Sequence, residues 1–228
     1  MVAAPTIASN IEALRGRITA AARRAGRDPA NVTLVAASAM SKGVTNEMVL
    51  AAMDAGVRNF GENYVQEAQQ RLGELGPRAR DARWHFIGHL QTNKVPAALA
   101  TFDAIESVDS IKLAQALSRR AERPVRILLE VNVSGEASKH GFAPSAVAPA
   151  VGEIAALPNI DLAGLMTMAP EVDNAEETRP VFRTLRQLAE ACGLAELSMG
   201  MTNDFEVAVE EGATIVRIGR ALFAGRLR

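Results

Sequence analysis

Arg126-Ile127-Leu128-Leu129-Glu130-Val131-Asn132-Val133 is rich in aliphatic and β-branched residues, with Ile127, Leu128 and Leu129 consecutive at its centre. Pro144–Leu157 follows with helical period, and Leu162–Met168 is apolar again. A short strand without in/out alternation, then a helix, then a similar strand, describes parallel strands buried on both faces. The same alternation extends in both directions. Strand-like segments lie at Thr33–Ser38, Asn59–Gly61, Arg83–Gly88 and Ala104–Val108 before it, and at Leu197–Met201 and Ile215–Gly219 after it. Helical stretches at Thr45–Ala55, Asn63–Leu75, Asp109–Arg123, Ala175–Cys192 and Asn203–Glu211 separate them. Eight strand–helix units in about 200 residues predict an α/β fold, a single TIM-like (β/α)8 barrel, with an open doubly wound sheet as the alternative.

An extra amphipathic helix, about Ile7–Ala25, precedes the first strand. It carries Ile11, Leu14, Ile18 and Ala22 on one face against Arg15, Arg17, Arg23 and Arg24. Such a stripe needs an apolar partner, so residues 1–30 are expected to plug or flank the barrel. No linker, repeat or low-complexity segment divides the chain, which predicts one domain over 1–228. With 228 residues and 48% hydrophobic content it can bury a sizeable core. Its 25 basic and 26 acidic residues leave a net charge of −1, so no global field draws it to nucleic acid or to an anionic membrane. The absence of a long apolar run or a leader pattern predicts a cytoplasmic protein. One cysteine, Cys192, excludes an internal disulfide and argues against a structural zinc site; it reads as an inert, helix-packed thiol.

In a parallel barrel the site lies at the strand C-termini. The segments there are polar: Ser41-Lys42, Gly61 to Tyr64, Gly88 to Lys94, Asp109-Ser110, Asn132 to Gly141, Met168 to Pro170, Gly200 to Asp204 and Arg217 to Arg220. The chain has only four lysines, Lys42, Lys94, Lys112 and Lys139, against twenty-one arginines. Three of the four fall in strand-end loops. A lysine kept where arginine fills the basic surface suits work that a guanidinium cannot do, because only an amine can deprotonate near neutral pH and attack a carbonyl. A solvated surface lysine is the competing reading for each. Gly200-Met201-Thr202-Asn203-Asp204 leads into a helix with Thr202 or Asn203 as its expected N-cap, and Gly219-Arg220 opens a short final helix. Backbone N–H groups at these two helix starts, with the Thr202 hydroxyl, could converge on one anion, and barrels commonly hold phosphate in this corner. Each glycine turn alone is a weak signal.

Four stretches carry a resemblance. Phe60-Gly61-Glu62-Asn63-Tyr64-Val65-Gln66-Glu67, Trp84 through Lys94, Leu197 through Asp204, and Val216-Arg217-Ile218-Gly219 closely resemble the pyridoxal 5′-phosphate (PLP) homeostasis protein family, in order and over nearly the whole chain. The resemblance implies a barrel similar to the N-terminal domain of alanine racemase, PLP held by an imine to a strand-one lysine, and no established catalytic turnover. Carried over by motif, Arg217 would face the pyridine nitrogen, Thr202, Gly219 and the Arg220 backbone would hold the phosphate, and Asn63 would border the cofactor. Helix capping is the competing reading for Asn63, and a structural ion pair for Arg217. Lys139, in Ser138-Lys139-His140-Gly141, matches a family lysine that could take up or transfer PLP. PLP-dependent apo-enzymes are the implied recipients, and a monomer is expected.

The sequence departs from the family at the anchor. Members typically run through Ala-Val-Ser into the lysine, whereas Ala39 follows Leu34-Val35-Ala36-Ala37-Ser38 here. Counted back from Ala55-Gly56, Ser41-Lys42 stands at the usual distance, as though three residues were inserted. Either Lys42 reaches the cofactor through a bulge or turn, the favoured reading, or Ala39 marks a lost anchor and Lys42 lies farther out. His89 replaces the family's usual proline, with no evident chemical use. His85 and His140 read as satisfied barrel or loop histidines, and no pair has metal-ligand spacing in the sequence.

Three functions are weighed: a PLP-binding homeostasis protein, a PLP-dependent amino-acid racemase, and a phosphate-sugar or nucleotide enzyme. Racemisation needs a second base opposite the lysine. The only tyrosine, Tyr64, sits early in a helix where packing is expected, and the chain ends at Arg228, just after the eighth unit. No second base and no domain to close the site are visible. The third function leaves the scarcity of lysine unexplained, so the first is the expected one, with no catalytic residues assigned.

Overall fold

The computed structural model describes residues 6–38, 43–136 and 139–224. Eight strands, β1 (Thr33–Ala37), β2 (Asn59–Glu62), β3 (Arg83–Phe86), β4 (Ala104–Val108), β5 (Val125–Glu130), β6 (Ile160–Met166), β7 (Glu196–Ser198) and β8 (Ile215–Ile218), close into a barrel in sequence order. All neighbours pair in parallel, and β1 meets β8 with Thr33 beside Ile215 and Val35 beside Arg217. The expected barrel is observed and the open sheet is excluded.

Helices follow the strands: α1 (Ile7–Arg24) before β1, then α2 (Asn46–Asp54), α3 (Val65–Leu75), α4 (Val95–Thr101), α5 (Ile111–Arg120), α6 (Val147–Ala155), α7 (Arg179–Ala191), α8 (Phe205–Glu210) and α9 (Arg220–Phe223). Helix α4 was not singled out by sequence, because seven residues are too few to develop a period. Segment ends shift by a few residues, as hydrogen bonding rather than composition sets them. The expected cap of α8 is corrected: Asp204, not Thr202 or Asn203, occupies the N-cap position.

The large apolar core lies between strands and helices, and includes Phe60, Phe86, Ile105, Ile127, Leu165, Phe182 and Phe205. A second, small cluster of Val35, Leu128, Met166 and Ile215 is separate from it. Strand neighbours share a face, so Val35 and Arg217 point to the same side, as do Ile215 and Arg217 two residues apart. The barrel interior therefore contains a charged group beside few apolar ones.

Helix α1 flanks the barrel and does not plug it. Its predicted stripe of Ile11, Leu14, Ile18 and Ala22 is buried. Its polar face is tied across the junction of the first and last units: Asn10 donates to Leu222 O (2.9 Å), Arg17 pairs with Glu206 (2.9 Å), Arg24 with Glu210 (2.7 Å), and Arg15 donates to Gly56 O (2.8 Å). Among the described residues, no helix is long and apolar enough to cross a membrane.

Candidate functional site

Arg217 is buried near the end of β8, and its surroundings are built from β2, β3, β4, β7 and the residue that follows β6. One guanidinium nitrogen donates to Ser198 Oγ (2.5 Å) and another to Thr167 O (2.9 Å). Ser198 donates onward to Glu106 Oε2 (2.6 Å), and Glu106 Oε1 accepts from His85 Nδ1 (2.6 Å). The second His85 nitrogen meets Asn59 Oδ1 at 3.1 Å. Burial pushes the Arg217 pKa down, against the opposing charges of Glu106, Asp204 and Glu130. Burial also works to raise Glu106, but the His85 hydrogen bond, the charges of His85 and Arg217 and the Ser198 hydrogen bond outweigh it and hold that carboxyl below its ordinary range. His85 is thus a satisfied barrel histidine, as expected. The structural ion-pair reading of Arg217 is not an alternative to a role at the mouth, because a buried counter-charge network is what allows a guanidinium to stand there.

Glu106 and Ser198 escaped sequence reasoning. A single glutamate inside the apolar Ala104–Val108 segment was the available signal, since a buried charge demands a partner.

Two cavities open at the strand ends. One, of about 580 Å³, is lined by Ala169, Pro170, Met201, Thr202, Asn203, Asp204, Arg217, Gly219 and Arg220, with residues of the β6–α7 loop. Thr202, Arg217, Gly219 and Arg220 therefore come together as the sequence predicted. Gly200 makes the turn at φ +93°, and an added Cβ there would sit 2.5 Å from that of Ala208. The Ala221 N–H approaches Thr202 Oγ1 at 3.4 Å, which leaves the hydroxyl proton able to donate elsewhere. Asp204 also lines the cavity, with Oδ1 accepting from Met201 N–H (2.6 Å). Burial raises its pKa, opposed by that hydrogen bond and by the Arg217 charge.

The other cavity, of about 740 Å³, lies over the ends of β3, β4 and β5, lined by residues including His89, Asp109, Ser110, Lys139 and His140. Lys139 is found here, not beside Thr202, and its amine donates to Glu136 Oε1 (2.6 Å) and Met168 O (3.3 Å). His140 stacks on His89 beside Asp109, although no pair of histidines has metal-ligand spacing in the sequence: strand order brings together residues that sequence spacing keeps apart. Asn63 follows β2, half-buried, lines neither cavity, and makes no cap, because Tyr64 holds that position on α3 without a side-chain cap bond. Tyr64 is 58% exposed, contrary to the packing role expected for it, because it lies outside the buried stripe of Val65, Ala68 and Leu75.

Ala39 and Lys42 lie outside the described residues. Beside the end of β1, Ser38 donates to Glu62 Oε1 (2.6 Å), which also meets Arg71 Nε at 2.9 Å. Glu62 Oε2 is buried without a hydrogen-bond partner among the described residues. Burial raises the Glu62 pKa, opposed by Ser38 and Arg71.

A closed parallel barrel with a polar, arginine-backed cavity at the ends of β7 and β8 defines a class, and the alanine racemase N-terminal domain family matches residues 9–226. The chain is 45% identical over 227 residues to the pyridoxal phosphate homeostasis protein of Pseudomonas aeruginosa, covering 97% of this chain and 96% of that one. Against the protein of the same name from Escherichia coli K12 it is 39% identical over 235 residues, covering 96% and 97%. The chain belongs to the pyridoxal phosphate homeostasis protein family. Among solved structures, PipY of Synechococcus elongatus PCC7942 with PLP bound is 34% identical, with a TM-score of 0.80 over 96% of this chain and 100% of that one. Alanine racemase of Corynebacterium glutamicum, at 20% identity and a TM-score of 0.67, shares the fold over 92% of this chain and 60% of its own.

Proposed function

We propose that this protein binds PLP reversibly in the Thr202–Arg217–Gly219–Arg220 cavity and serves intracellular PLP homeostasis, buffering or delivering the cofactor without robust turnover. The observation that carries this reading is the convergence, in one cavity, of a hydroxyl, two strand-to-helix turns and a buried guanidinium. The PLP-bound PipY structure and the family's name support it.

PLP supplies an aldehyde that condenses with amines and a pyridine ring that withdraws electrons. In this chain Thr202, Gly219 and the Arg220 backbone hold the phosphate, each charge-assisted contact contributing about 1.5–3 kcal/mol. Arg217 meets the pyridine nitrogen. Its fixed positive charge disfavours a second one on the ring and so weakens electron withdrawal, which suits holding the cofactor more than carbanion chemistry. Lys42 supplies the covalent attachment, Asn63 borders the ring, and Lys139 in the neighbouring cavity takes part in loading or transfer. PLP-dependent apo-enzymes are the recipients, the protein acts as a cytoplasmic monomer, and the whole chain works as one domain.

Absorbance titration with PLP tests this. Replacing Thr202 by Val should weaken binding about tenfold to a hundredfold, and Arg217→Glu should change the absorbance of the bound cofactor as well as its affinity. Borohydride reduction of the loaded protein should leave the label on the Lys42 peptide. Label on Lys139 alone, or none, would mean that the strand-one position has lost its anchor. Unchanged affinity in Thr202→Val would remove that residue from the site.

A further inference from the structure

His89, Asp109 and His140 come from the three loops that follow β3, β4 and β5. Each offers one ligand atom, and the three atoms lie within 4.8 Å of one another. The imidazole rings stack nearly parallel, 16° apart, with centroids 4.0 Å from each other. Both turn Nδ1 toward the same oxygen: His89 Nδ1 is 3.1 Å and His140 Nδ1 4.0 Å from Asp109 Oδ2. That carboxylate is the fixed member. Its side chain is only 14% exposed, and its other oxygen, Oδ1, accepts from Ser110 Oγ at 3.0 Å, which leaves Oδ2 aimed at the histidines.

We propose that these three side chains form a binding site for a borderline divalent transition-metal ion, with zinc as the representative. Two imidazoles and one carboxylate are the donor set such ions prefer, whereas magnesium and calcium favour oxygen ligands. Tetrahedral coordination at about 2.0–2.1 Å sets ligand atoms roughly 3.3 Å apart. The Asp109–His89 pair is already near that separation. His140 closes the remaining gap with a side chain 57% exposed and free to adjust. The Asp109–Ser110 bond supplies the outer-shell orientation that metal-ligating carboxylates generally have. Lys139, which lines the same cavity, is held by Glu136. The cavity leaves coordination positions open to water or a small ligand. A bound ion would tie three mouth loops together, including the one that carries Lys139.

The test uses the untagged full chain, stripped with a chelator and titrated calorimetrically with zinc chloride, and separately with magnesium chloride. One zinc ion per chain is expected, and no magnesium. His89→Ala and His140→Ala should each weaken zinc binding by about 10–100-fold or more, while Cys192→Ser leaves it unchanged. Cobalt(II) should give a visible ligand-field absorption in the parent and lose it in both histidine variants. Because both histidines are largely exposed, metal-free melting of the variants should match the parent and exclude misfolding. Zinc affinity retained in both histidine variants, lost in Cys192→Ser, or absent from the parent would overturn the site and leave the cluster as an ion pair only.

Discussion

Glu106 shows how one side chain inside the barrel determines what can stand at its mouth. It receives hydrogen bonds from His85 and Ser198 and lies 4.0 Å from Arg217. Its carboxyl is held below its ordinary range, so its stabilisation is complete above the unfolded value of about 4.3 and is lost as pH falls through the lower folded value. Glu106→Gln should therefore cost about 3–5 kcal/mol near neutral pH, as expected when one partner of a buried charged pair is removed. The deficit should shrink on acidification, which urea unfolding at a series of pH values would show. Arg217, Thr202, Gly219 and Arg220 were legible from the sequence because strand-end position and motif both mark them. Glu106 and the His89–His140 pair were not, since their partners sit many residues away and only strand order defines the neighbours.

At the scale of elements, the loops after β2 and β3 meet where a side chain has no room. A Cβ on Gly88 would lie 2.4 Å from Asn63 O, and Gly88 O also accepts from Ser107 Oγ at 2.5 Å. Gly88→Ala should destabilise by about 1–3 kcal/mol through overpacking. It should also weaken PLP binding if Asn63 borders the cofactor; thermal melting and an absorbance titration read the two effects separately. The strands were legible because parallel, doubly buried segments are largely apolar, and the interior charges Glu62, Glu106 and Arg217 interrupt them only singly. The α8 cap was misread because the Asp204 carboxylate turns to the Met201 N–H, leaving Thr202 to meet the following unit.

For the molecule as a whole, the barrel closes only when β8 pairs with β1, and α1 packs over that junction. Leu14 is fully buried there, so Leu14→Ala should cost about 2–5 kcal/mol. With no division along the chain, denaturation of the parent and of this variant should each follow a single transition by fluorescence and by circular dichroism. Two transitions would instead point to separately folding parts. The amphipathic stripe of α1 was legible, but whether it plugs or flanks was not, because a periodic face specifies that something must cover it and not what.

The position of α1 also bears on how the chain is made. Its partners α8 and α9 are among the last described elements, so at ordinary translation speeds of about 5–20 residues per second its apolar stripe waits roughly ten to forty seconds for them to emerge from the ribosome. During that interval the stripe lacks its α8 and α9 cover, and the arginines interleaved along the helix give the incompletely covered stretch a positive charge that opposes association until its last partners arrive.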